Sequence, residues 1–171
     1  MTMKNIVLTG FMGTGKTTIG RLLAKNLRMR LVDVDEEIEK DQGMSINDIF
    51  STHGEQHFRE IETAMIKKLS QNKNSIISTG GGAVLRKENM DALKENGVVF
   101  CLNAGVETIL KRTRRNEDRP LLKVENPKEK ITELLAYRRP FYEQAGIMIE
   151  TDAKTPGEVV QEIMEKLKWK R

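Results

Sequence analysis

Cysteine is nearly absent: the chain has one in 171 residues, so no disulfide can close within it. Cys101 follows Val98, Val99 and Phe100 in an apolar run that reads as a buried strand, with no neighbouring base or positive site to make its thiol a nucleophile. A reducing compartment fits this usage. No apolar stretch approaches the roughly 18 residues that span a bilayer. The first ten residues lack the basic start and apolar core of a signal peptide, so a cytoplasmic location is expected. Charge of one sign is missing too: 29 basic against 25 acidic residues leave +4, far from the balance of a dedicated nucleic-acid or membrane binder. The pI of about 9.2 points mildly towards anionic ligands. Internal repeats, Gly/Ser linkers and low-complexity tracts are also lacking.

What the sequence does contain is a globular balance, with 38% apolar residues in a length that fits one domain and buries about two-thirds of its unfolded surface. Short runs rich in β-branched residues recur at Ile6 to Leu8, Leu31 to Val34, Ser75 to Ser78, Val98 to Leu102 and Ile147 to Ile149. Longer helical or polar segments separate them, which implies a doubly wound parallel α/β sheet. Ser45 to Asp48 resembles a capping box, and Thr155, Pro156 and Glu158 mark the start of a last helix with Val159, Val160, Ile163 and Leu167 on one face. Residues Asn116 to Lys128, with two prolines and many charges, show neither period and are expected to form a mobile loop.

The strongest signal follows the first strand. Gly10-Phe11-Met12-Gly13-Thr14-Gly15-Lys16-Thr17 satisfies GxxxxGK[ST] at every fixed position and precedes the helical pattern Ile19, Leu22, Leu23, Leu27. Backbone N–H groups of such a loop converge at a helix N-terminus and cradle polyphosphate. Lys16 would supply charge to the β and γ phosphates, and the Thr17 hydroxyl a ligand to Mg²⁺. A guanine-reading Asn-Lys-x-Asp is missing, since Asn72-Lys73-Asn74-Ser75 lacks the acid. A motor or regulatory ATPase fits less well, because Asp33 interrupts the apolar run before Asp35-Glu36 and no further module follows.

A small-molecule kinase accounts for more residues. Asp33 and Asp35, two apart at the end of the second strand, are expected to project to one side of the crevice. One could hold water on the metal while the other accepts a hydroxyl proton. Arg59, followed at i+3 by Glu62, suits a guanidinium fork for a carboxylate, although a surface ion pair would look the same. His53 and His57 share the i, i+4 spacing of HExxH zinc sites, but Gly54 stands next to His53 and the chain has no further His. Gly80-Gly81-Gly82 after the third strand admits a ligand to bare backbone. Arg119, in the expected mobile loop, could be delivered to a transferring phosphoryl group, whereas Lys111, Arg114 and Arg115 read as a solvated face. Either Arg138 or Arg139 could face the crevice. These residues alone define a P-loop kinase with an anionic hydroxylated acceptor, and leave gluconate-type and nucleotide acceptors open beside others.

Taken together, the chain resembles the shikimate kinase family, of the nucleoside-monophosphate-kinase-like P-loop fold, over essentially its full length. The phosphate loop matches at Gly10 to Thr18, DxD at Asp33 and Asp35, GExxFRxxE at Gly54 to Glu62, the triple glycine at Gly80 to Gly82, RPLL at Arg119 to Leu122, and RxP at Arg138 to Pro140. The resemblance implies a three-layer α/β/α fold with a five-stranded parallel sheet in the order 2-3-1-4-5. It implies a single domain, with a substrate-binding helical segment at about 35–62 and a lid at about 113–128. The activity implied is ATP-dependent phosphorylation of the 3-hydroxyl of shikimate, on the route to chorismate and the aromatic amino acids; a gluconate-type kinase or a regulatory ATPase is the alternative. Lys16, Asp35 and Arg119 would be catalytic. ATP would lie against Gly13, Thr14, Gly15, Lys16, Thr17, Thr18 and Lys154, with Arg112 and Pro156 flanking adenine. Shikimate would meet Asp35, Phe58, Arg59, Gly80, Gly81, Gly82 and Arg138, the spacing of RxP selecting Arg138 over Arg139. Mg²⁺ would be held with Thr17 and Asp33. Nucleic acid and membrane partners are not expected, and a monomer is.

Overall fold

The apolar alternation along each strand is resolved into two faces by a computed structural model, which describes residues 4–113 and 124–168. Five parallel strands pair in the order β2-β3-β1-β4-β5. They are β1 (Asn5–Gly10), β2 (Arg30–Asp33), β3 (Ser75–Ser78), β4 (Gly97–Asn103) and β5 (Ile147–Glu150). Because successive side chains point to opposite faces, Ile6, Leu8, Ile76, Phe100 and Leu102 serve one core, and Val7, Ile77, Val99 and Cys101 the other. The first core is closed by α1 (Lys16–Leu27) and α7 (Pro156–Lys168), through Ile19, Leu23, Val159, Val160 and Ile163. On the other face lie α2 (Val34–Gln42), α3 (Ile46–Ser70), α4 (Lys87–Asn96), α5 (Val106–Thr113) and α6 (Pro127–Ala145). This is the three-layer architecture and strand order expected. Cys101 is buried among apolar side chains, which pushes its thiol up to about 12 and leaves it inert. No helix of the described residues is long and apolar enough to cross a membrane.

Local chemistry sets the boundaries. Ser45 caps α3 by accepting from the Asp48 N–H at 3.1 Å, and Thr155 accepts from the Glu158 N–H at 3.3 Å while Glu158 answers on the Thr155 N–H at 2.7 Å. Two expectations need correction. The second strand ends at Asp33 rather than Val34, and Val34 opens α2. The expected loop through Lys128 ends earlier, because Asn126 accepts from the Glu129 N–H at 3.3 Å and Pro127 takes the first helical position, so Lys128 is already in α6.

Candidate active site

The parallel sheet gathers the carboxyl ends of β1, β2 and β3 at one crevice, the place where open α/β sheets bind ligands. A cavity of about 910 Å³ opens there. Its lining includes the phosphate loop, Asp33, Asp35, Phe58, Arg59, Gly80 to Gly82, Arg112, Arg138, Lys154 and Pro156. Every site residue expected from the sequence therefore borders one cavity, except Arg119, which lies outside the described residues together with the rest of the RPLL motif. The volume lies within the range of small-molecule clefts.

In the phosphate loop, Gly15 takes the left-handed conformation with φ 99° and turns the chain into α1. The Thr14 hydroxyl donates to the Phe11 carbonyl at 2.7 Å and closes the loop on itself. Lys16 Nζ donates to the carbonyls of Gly10 at 2.8 Å and Phe11 at 2.9 Å, which holds the ammonium over the loop. Arg112 reaches across from α5 to the Gly13 carbonyl at 3.3 Å and the Thr151 hydroxyl at 3.1 Å. Lys154 is paired with Glu162 at 2.7 Å at the same edge, where Pro156 begins α7.

The two acids are not presented by strand alternation as expected. Asp33 is the N-cap of α2, its Oδ1 accepting from the N–H groups of Asp35 at 3.0 Å and Glu36 at 3.4 Å, and this turn carries Asp35 into the first helical turn. Burial pushes Asp35 up to about 7, with Asp33 and Glu62 adding to the rise and Lys16 and Arg59 opposing it. A Cβ placed on Gly80 would sit 3.1 Å from both Asp35 Oδ1 and Glu62 Oε1, so two carboxylates converge on bare backbone. Neither oxygen has a hydrogen-bond partner among the described residues.

Arg59 is held from two sides. Its Nη1 donates to Glu62 at 2.7 Å and its Nη2 to Glu55 at 3.1 Å, while the guanidinium lies 5.1 Å from the Phe58 ring centre. Burial raises the Glu62 carboxyl and Arg59 restrains that rise. The guanidinium lies 2.5 Å from a Cβ added at Gly82, so a side chain there would have to displace the end of Arg59. Arg138 is 5% exposed, with its guanidinium 5.8 Å from the Phe11 ring, and its buried Nε has no partner among the described residues. Arg139 points outward and pairs with Glu143 at 2.8 Å.

Known proteins resemble this chain in sequence and in fold. The family model "Shikimate kinase" matches residues 12–168. A shikimate kinase from Thermodesulfovibrio yellowstonii is 55% identical over 162 residues, which cover 95% of this chain and 94% of the relative. The chain belongs to the shikimate kinase family. Within the family, the relative from Persephonella marina is 47% identical over 166 residues, covering 97% of this chain and all 100% of its own length. The solved structure of shikimate kinase from Acinetobacter baumannii in complex with shikimate superposes with a TM-score of 0.94 at 40% identity, covering 99% of this chain and 95% of that one.

Two contributors escape motif reading. Phe50 lines the cavity and packs its ring 4.7 Å from Phe58. Tyr142, four residues beyond Arg138, donates its O–H to the Gly81 carbonyl at 2.7 Å. The i, i+4 spacing on α6 was the available signal for the second, masked by Pro140 between them. His53 and His57 are exposed outside the cavity lining, with ring centres 4.8 Å apart, and no group of three potential metal-ligating side chains exists among the described residues.

Proposed function

We propose that the chain transfers the γ-phosphoryl group of ATP to the 3-hydroxyl of shikimate, with the roles below. The observation that carries the proposal is that Asp35, Arg59 and Arg138 border the same cavity as the phosphate loop. The family membership supports it. Backbone N–H groups of Gly13 to Thr18 and the Lys16 ammonium bind the phosphates, and Arg112 and Pro156 flank the base with Lys154 near them. Arg59 and Arg138 clamp the acceptor carboxylate, with Phe58 and the backbone of Gly80 to Gly82 shaping the ring site. Asp35, with a proton affinity near neutral, takes the 3-hydroxyl proton as that oxygen bonds to the γ-phosphorus. The bond to the β,γ-bridging oxygen breaks and ADP leaves.

A divalent ion fits the donor set: the Thr17 hydroxyl and the uncapped oxygen of Asp33 are hard oxygens, too few for a dedicated cage, which suits Mg²⁺ arriving on ATP with waters. Thr17 and Asp33 would hold it, and its contribution when bound is to neutralise charge between the β and γ phosphates. Arg119 is assigned to the transferring phosphoryl group on its place in the RPLL motif, and Arg119→Ala should lower kcat far more than it raises the ATP KM. A monomer in the cytoplasm is the simplest setting. Incubation with ATP and shikimate should yield shikimate 3-phosphate by phosphorus NMR. A product phosphorylated elsewhere, or only free phosphate, would reject the assignment.

A further inference from the structure

Three consecutive glycines have no side chains to fix their own backbone, so the fixing must come from outside. Two of the three carbonyls are tied locally: Gly80 accepts from the Ala83 N–H at 3.2 Å and Gly82 from the Leu85 N–H at 3.0 Å. Between them the Gly81 carbonyl accepts the phenol O–H of Tyr142 at 2.7 Å. Tyr142 is 5% exposed and does not line the cavity. It lies one turn beyond Arg138 on α6, and a Cβ on Gly81 would sit 3.5 Å from its oxygen and 3.6 Å from Arg138 Nη1. Glycine turn, phenol and guanidinium thus meet at one point. Burial pushes the phenol up to about 12 against the pull of Arg138, so the proton stays on the oxygen and remains available to donate.

We propose that Tyr142 is a positioning residue for acceptor binding: its O–H selects one orientation of the Gly81 carbonyl and keeps the Arg138 guanidinium beside it. A glycine peptide that loses this bond can rotate, and a rotated carbonyl presents lone pairs, which repel a carboxylate. Tyr142 acts through its neighbours and does not touch the reacting atoms. The proposal rests on shikimate being the acceptor.

Tyr142→Phe removes the donor and keeps the ring in its packing. Steady-state kinetics should show the shikimate KM raised about 10-fold, with kcat and the ATP KM within about 2-fold of the parent. The methyl ester of shikimate, which lacks the charged carboxylate, separates this role from general packing. Preference for shikimate over the ester should fall about 10-fold in the variant, because only the acid uses the fixed guanidinium. An equal loss on acid and ester, an unchanged shikimate KM, or an ATP KM that rises in step would overturn the proposal. Loss of all ligand binding, as an unfolded variant would give, makes Tyr142 a packing residue and overturns it equally. Failure of the parent itself to phosphorylate shikimate would remove the acceptor assignment and this proposal with it, before any variant is compared.

Discussion

Asp35 is placed where a carboxylate is least comfortable, beside a second buried acid and with one oxygen lacking a partner among the described residues. Its affinity for a proton near pH 7 makes it a usable base only once ionised, so kcat/KM should fall about tenfold per pH unit below about pH 7. A flat profile from pH 5 to 8 would remove Asp35 from proton transfer. Lys16→Ala deletes a preorganised cation over the phosphate loop, and should cost on the order of 3 kcal/mol of transition-state stabilisation, read as kcat/KM. Arg59→Lys keeps the charge but loses the fork that Glu55 and Glu62 hold in place, and should raise the shikimate KM well above any change in the ATP KM. Equal shifts in both constants would contradict the clamp. Lys16 was legible because phosphate binding demands fixed spacings along one loop, and Asp35 and Arg59 because each stands in a short-range charge pattern with Asp33 or Glu62. Choosing Arg138 over Arg139 needed the family pattern, and burial of the one and exposure of the other give that choice its physical basis. Tyr142 offered only its spacing from Arg138, since its partner is a backbone carbonyl 61 residues away.

Among the elements, α3 concentrates the acceptor side, and its course depends on one glycine. Gly54 has φ 82° and ψ 170°, a region that side chains rarely enter, and it breaks the helix just before Glu55, Phe58, Arg59 and Glu62. An added Cβ there meets nothing within 4 Å, so Gly54→Ala would act through the backbone alone. It should destabilise the fold by about 1–3 kcal/mol in denaturant titrations and raise the shikimate KM, as α3 straightens and swings Arg59. An unchanged midpoint would mean that the kink is not required. The strands were legible because their apolar runs are short and separated by helices, and a parallel sheet buried on both faces leaves few alternatives. The start of α6 was not, although Asn126-Pro127 carries a cap and a first-turn proline, because the charge and proline content of the preceding residues outweighed it. Asp33 and Asp35 both reach the crevice, but through a cap instead of strand alternation, because a capping aspartate ends a strand and begins a helix in one residue.

At the scale of the molecule, the site is built against stability. Between 3.8 and about 7 the folded chain keeps a proton on Asp35 that the unfolded chain has released, so this group makes stability fall as pH rises through that window. Asp35→Asn should therefore raise the melting temperature at pH 8, the gain shrinking as pH drops to 4, while activity is lost. A gain independent of pH would contradict that origin. The wider claim is that the two halves of the cavity, phosphate loop and acid-binding clamp, work as one site. Coupled ADP release tests it most directly, run on the intact chain with ATP and magnesium across shikimate, quinate, gluconate and AMP. Release should depend on shikimate and be slow without it. Brisk ATP hydrolysis indifferent to shikimate, or a higher kcat/KM for gluconate or AMP, would contradict that claim.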